Sequence, residues 1–202
     1  MESFNFELAR LYAEKRLEKE LSPHLLYHGI AHTRDEVVPA VETLAAMAAV
    51  RDEALLLLLT AAWFHDLGYT ETVSGHEAIG AQIANDVLPI FGYTAPQLEV
   101  VRGCILATVL PQSPANLIEQ IMADADLDVL GRENFIQRNR DLRAEMAYLG
   151  REYDDEQWYT GQLDFVETHS YFTEFARSLR DDQKRRNIAE LRKLLDSSKG
   201  TG

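Results

Sequence analysis

The run Leu55-Leu56-Leu57-Leu58-Leu59-Thr60-Ala61-Ala62-Trp63-Phe64 is almost wholly apolar and ends on His65-Asp66. A membrane span needs roughly 20 such residues, so a run this short reads as a helix buried inside a protein. Other elements must therefore wrap around it. Leu67-Gly68-Tyr69 follows, and Gly68 is a usual helix stop. The same segment sets a chemical demand, because a histidine and an aspartate ending a buried helix are costly to desolvate without a partner. A divalent cation satisfies both at once, provided the chain supplies the rest of a coordination shell.

Two other stretches offer it. Upstream lies Tyr27-His28-Gly29-Ile30-Ala31-His32-Thr33, and downstream Met122-Ala123-Asp124-Ala125-Asp126-Leu127-Asp128-Val129-Leu130-Gly131. His32 precedes an amphipathic run and reads as a helix-start imidazole able to donate a lone pair. Asp126 has apolar neighbours three and four positions away (Met122, Ala123, Val129, Leu130), which predicts that it faces the core and needs a strong partner. Asp124, with Gln120 and Asp128 among its neighbours, is the alternative ligand.

The order His32, His65-Asp66, Asp126 resembles the H…HD…D signature of the HD superfamily of metal-dependent phosphohydrolases. The phrases Phe-His-Asp-Leu-Gly-Tyr and Asp-Ala-Asp-Leu-x-x-Leu-Gly, with Arg151-Glu152-Tyr153, look most like a bacterial subgroup whose substrates are poorly defined. The resemblance implies an all-α, single-domain HD-type helical bundle. It also implies a divalent metal held by His32, His65, Asp66 and Asp126, with Asp66 also catalytic. Imidazoles with carboxylates suit Mn, Fe, Co, Ni, Mg or Zn, and no cysteine lies nearby to make a structural zinc site. Cyclic-nucleotide phosphodiesterases of similar pattern take a general acid from the first histidine of Tyr-His-Asn-x-x-His. Here that position is His28, with Gly29 in place of the asparagine. His76, in Gly75-His76-Glu77-Ala78, resembles a histidine that helps bind a second metal in multi-histidine relatives. Thr108 stands where their further histidine is expected, so His76 and Glu77 are read as substrate contacts or groups behind the ligands.

Composition narrows the partners. A net charge of −13 argues against broad nucleic-acid binding, which needs a basic surface. It does not exclude a small phosphorylated substrate, because a bound cation dominates the field of its site. No membrane span or signal peptide is legible, and the lone Cys104 fits a reducing cytoplasm. Long apolar helices leave a homodimer open.

Helices are expected over 4–21, 33–50, 52–65, 76–91, 95–109, 114–130, 133–149, 156–175 and 181–195. Pro39 should kink the second or delay its start, Asp52 should cap the third, and 197–202 should form a frayed tail. The functional expectation is hydrolysis of a small phosphate ester, such as a nucleotide or cyclic nucleotide. An HD-fold di-iron oxygenase and a non-catalytic nucleotide- or protein-binding module are the alternatives.

Overall fold

The apolar run forms the centre of the bundle. In the computed structural model, which describes residues 4–199, it is helix α3 (Asp52–Phe64), and every residue from 57 to 64 is buried. Around it stand α1 (Phe6–Glu20), α2 (Val38–Met47), α4 (His76–Val87), α5 (Ala95–Leu106) and α6 (Leu117–Asp126). Leu58, Ala61, Ala62 and Phe64 are wholly inaccessible. Burying each leucine or phenylalanine side chain contributes roughly 1.5–3 kcal/mol, which explains why a helix with no polar face is stable here. Thr60, the one polar residue of the run, hydrogen-bonds the carbonyl of Leu56 and the Tyr93 hydroxyl, each at 2.7 Å.

A second, smaller apolar cluster joins Leu127, Val129, Leu130, Phe135, Val166 and Leu191. It gathers α7 (Phe135–Tyr148), α8 (Asp155–Thr168) and α9 (Glu174–Lys199) against the tight turn Asp128–Gly131. The described residues contain no strand, and the architecture is all-α as expected.

Several boundaries differ from the sequence expectation, each for a tertiary reason. Pro39 does not kink α2 but marks a late start, since the α-helix begins at Val38 rather than at Thr33. A widened π turn, His32–Val37, precedes it, with Val38 N–H donating to Thr33 O. Pro39 then sits in the first turn of α2, where its missing N–H costs nothing. Asp52 does not cap α3; it adopts φ 53° while Arg51 occupies the cap position. The expected helix 156–175 is broken at 169–173, because the Asp124 carboxylate accepts the Phe172 N–H, the Thr173 N–H and the Thr173 hydroxyl at 2.7–2.9 Å. Thr173 in turn accepts the Ala176 N–H and starts α9. That helix runs through 197–199, which were expected in the frayed tail, while 200–202 lie outside the described residues.

Gly68 does more than end a helix. A β-carbon there would lie 1.9 Å from the His76 carbonyl oxygen, so glycine alone lets the start of α4 press onto the turn Leu67–Thr70. Gly80, one turn further along α4, approaches the carbonyls of Phe64 and His65 to 3.0 Å from its β-position. These two close approaches bring His76 beside Asp66.

Candidate metal centre

Three elements end at one place. His65 and Asp66 close α3, Asp126 closes α6, and His32 opens the π turn. His32, His65 and Asp66 are each at least 98% buried, and each offers a ligand atom within 4.8 Å of the other two. Asp126 Oδ1 lies 3.3 Å from His32 Nε2 and 3.4 Å from His65 Nε2. Asp66 Oδ2 lies 3.2 Å from His65 Nε2 and 3.9 Å from His32 Nε2. All four expected ligands therefore converge, while Asp124 is turned to the start of α9. The burial argument that favoured Asp126 was inverted: Asp124 is fully buried, whereas the Asp126 side chain is 18% exposed. Helix α6 stops at Asp126, so Val129 and Leu130 do not continue its face.

Both histidines present the same nitrogen. His65 Nδ1 lies 2.8 Å from the Ala62 carbonyl, which only accepts, so Nδ1 carries hydrogen and Nε2 is turned to the carboxylates. His32 Nδ1 lies 3.1 Å from Glu36 Oε2, which likewise turns Nε2 to Asp126. His65 Nε2 and Asp66 Oδ2 are buried and have no hydrogen-bond partner. Buried polar atoms are otherwise nearly always satisfied. Two orphaned lone-pair donors facing one another, beside a second imidazole and a second carboxylate, fit a divalent cation.

Without that cation, protons take its place. Burial disfavours the charged His32, yet hydrogen bonds to Asp126 and Glu36 and the charge of Asp66 outweigh it and push the imidazole up to about 9. Burial likewise opposes charging His65, but Asp66 and Asp126 raise it well above the ordinary value. Asp126, though desolvated, is held at about 2 by the two imidazoles, and Asp66 is lowered further by His65.

Asp66 and Asp126 form part of one wall of a cavity of about 320 Å³. His28 stands on this wall with Nδ1 2.5 Å from Glu145 Oε1, and Glu145 Oε2 also accepts the N–H groups of Tyr27 and His28. Glu145 is fully buried. The Tyr69 ring is stacked between His28 at 4.5 Å and His76 at 3.8 Å. His76 Nε2 is 3.5 Å from Asp66 Oδ1, the carboxylate oxygen turned away from His65, and burial lowers the His76 pKa. Glu77 lines the same wall, 3.5 Å from His76 Nδ1. Thr108 also lines the cavity, but its hydroxyl donates to the Ile105 carbonyl.

Sequence reasoning missed Glu36, Glu145 and Arg138. Glu36 was legible, since it stands four residues after His32 and so shares its helical face. Glu145 and Arg138 lie on α7 among many similar charges and come to the site only through the fold. Arg138 donates to the carbonyls of Leu26 and Tyr27 and to Glu36, which fixes the segment that carries His28.

The structure resembles the crystal structure of a predicted HD superfamily hydrolase from an uncultured Thermotogales bacterium. The TM-score is 0.63 at 20% sequence identity, covering 95% of this chain and 91% of that one. The likeness is one of fold: this chain shares the helical fold of that protein. No protein-family model and no curated protein matches the sequence.

Proposed function

We propose that the protein is a metal-dependent hydrolase of HD type, and that its reaction is cleavage of a small phosphate ester. The observation that carries this reading is the pair of orphaned buried atoms, His65 Nε2 and Asp66 Oδ2, of which Asp66 borders a cavity that also has the His28 imidazole on its wall. His32, His65, Asp66 and Asp126 would hold the cation. When bound, a divalent cation supplies Lewis acidity, neutralising phosphoryl charge and lowering the pKa of water.

The chain's own groups do the rest. Glu36 and the Ala62 carbonyl keep the two ligand imidazoles turned so that Nε2 faces inward. Glu145 holds His28 by Nδ1, leaving Nε2 as the free ring nitrogen beside the cavity. In the reaction a water oxygen bonds to phosphorus and gives up one proton to solvent, the ester P–O bond breaks, and the leaving oxygen takes a proton from His28 Nε2, which solvent then replaces. The buried Glu145 carboxylate fixes the ring by its contact with Nδ1. Apolar walls from α7 and α8 limit competing water.

The test is metal content by elemental mass spectrometry together with phosphate release, on the unaltered protein and on Asp66→Ala. Near-stoichiometric metal and ester hydrolysis, both lost in the variant while helicity is kept, support the reading. Turnover unchanged in Asp66→Ala sinks it.

A further inference from the structure

The cavity differs sharply from one wall to the other. Away from the histidines it is lined by apolar side chains of the Leu127–Leu130 region, α7 and α8, among them Phe135, Leu142, Met146 and Phe165. Arg138 is the one arginine or lysine among the described residues lining it, and its hydrogen bonds are already given to Glu36, Asp141 and the carbonyls of Leu26 and Tyr27. Its guanidinium also lies over the Tyr27 ring at 4.6 Å. Asp66, Asp126 and Glu77 supply negative charge instead. Polyphosphate recognition relies on several uncommitted arginine or lysine donors, and here four of the five N–H donors of the lone Arg138 are already engaged.

A fixed amide pair stands in the apolar part. Trp158 Nε1 donates to Asn139 Oδ1 at 2.8 Å, and Asn139 Nδ2 donates to Gln162 Oε1 at 2.5 Å. Both polar atoms of Asn139 are thus engaged, and the bond orients the Gln162 amide. Gln162 Nε2 donates to no atom of the described residues. A neighbouring hollow of about 260 Å³ shares Leu142, Met146 and Gln162 with the cavity but none of its histidines or acidic residues. Gln162 therefore stands at the end remote from the His–Asp cluster.

We infer that the substrate carries a single terminal phosphate on an uncharged, ring-bearing body of about nucleoside size, and that Gln162 Nε2 reads a hydrogen-bond acceptor on that body. This rests on the phosphohydrolase reading and narrows it. A monophosphate brings a charge of about −2. A divalent cation held there would share its charge with Asp66 and Asp126, so each further phosphate would add negative charge to a cavity that also holds Glu77 and whose one cation, Arg138, is already paired with Glu36 and Asp141. A volume of about 320 Å³, at the lower end for ligand sites, suits one such body.

The experiment compares phosphate release by the full-length, Mn-loaded protein from p-nitrophenyl phosphate and from nucleoside 5′-mono-, di- and triphosphates. We expect kcat/KM for the best monophosphate to exceed that for its di- and triphosphate by at least about tenfold. Gln162→Glu keeps the acceptor for Asn139 Nδ2 and removes the donor. It should raise KM for the nucleoside monophosphate by about tenfold relative to its KM for p-nitrophenyl phosphate, which corrects for the added charge. Equal or better use of the triphosphate, or an unchanged ratio of KM values in Gln162→Glu, overturns the inference and leaves the phosphohydrolase reading intact. No release from any ester by metal-loaded protein overturns both.

Discussion

Loading the centre with a divalent cation should expel about two protons. In the metal-free protein His32 is held at about 9, and His65 is raised well above its ordinary value by the same carboxylates. At pH 7 a group of pKa about 9 is roughly 99% protonated, and the proton must leave Nε2 before that nitrogen can bind a metal. His32 alone makes log K rise by about one for each pH unit below 9, and the raised His65 steepens that slope. Between pH 6 and pH 8 the apparent affinity should then rise by at least roughly 10²-fold. Isothermal titration of chelator-treated protein with Mn, in buffers of different ionisation enthalpy, counts the protons directly. The measurement belongs at pH 6 as well as pH 7. Metal-bound water retains its protons at the lower value, so the count there reads the imidazoles. Release of less than one proton, with affinity flat across this range, would refute the argument. The imidazoles would then be neutral already, and the orphaned atoms would need another explanation.

The same charges predict how the metal-free protein loses stability. The His32 pKa is raised from 6.5 to about 9 in the folded state, so its contribution is fully present below pH 6.5 and disappears as pH rises through 9. That shift of about 2.5 units corresponds to at most about 3 kcal/mol, at 1.36 kcal/mol per unit; melting temperature in a chelating buffer should fall between pH 6.5 and 9, and a rise over that range counts against the reading. Glu145→Gln removes the charge behind His28 while leaving an oxygen for the backbone donors. Turnover should drop roughly 10²-fold or more with metal content unchanged, whereas unaltered kcat removes His28 as the acid. Asp124→Asn should cost about 2 kcal/mol, a fall of roughly 4–8 °C in Tm, by weakening the hold on the start of α9. Loss of metal rather than stability in that variant would reverse the roles of Asp124 and Asp126.

The sequence carried the centre further than its surroundings, and the reason lies in which interactions are local. The buried run before His65-Asp66 announces itself by composition, because only a fully enclosed helix tolerates it. Glu36 follows His32 by one helical turn, so its hydrogen bond is written in the spacing. Asp124 and Asp126 show where local reasoning fails. Neighbours at three and four positions measure burial only while the helix continues, and α6 ends at Asp126. What then separates the two carboxylates is the company each finds: backbone and hydroxyl donors at 172–173 for Asp124, and two imidazole Nε2 atoms for Asp126. Both sets of partners come from distant segments. Glu145 makes the same point more strongly. On sequence it is one more acid on an amphipathic helix, yet in the fold it is wholly buried and binds His28 twice and the Tyr27 N–H once. A buried carboxylate is tolerated only when fully hydrogen-bonded. Its burial therefore singles out α7 as the element that completes the site, with Arg138 and Asn139 on the same helix.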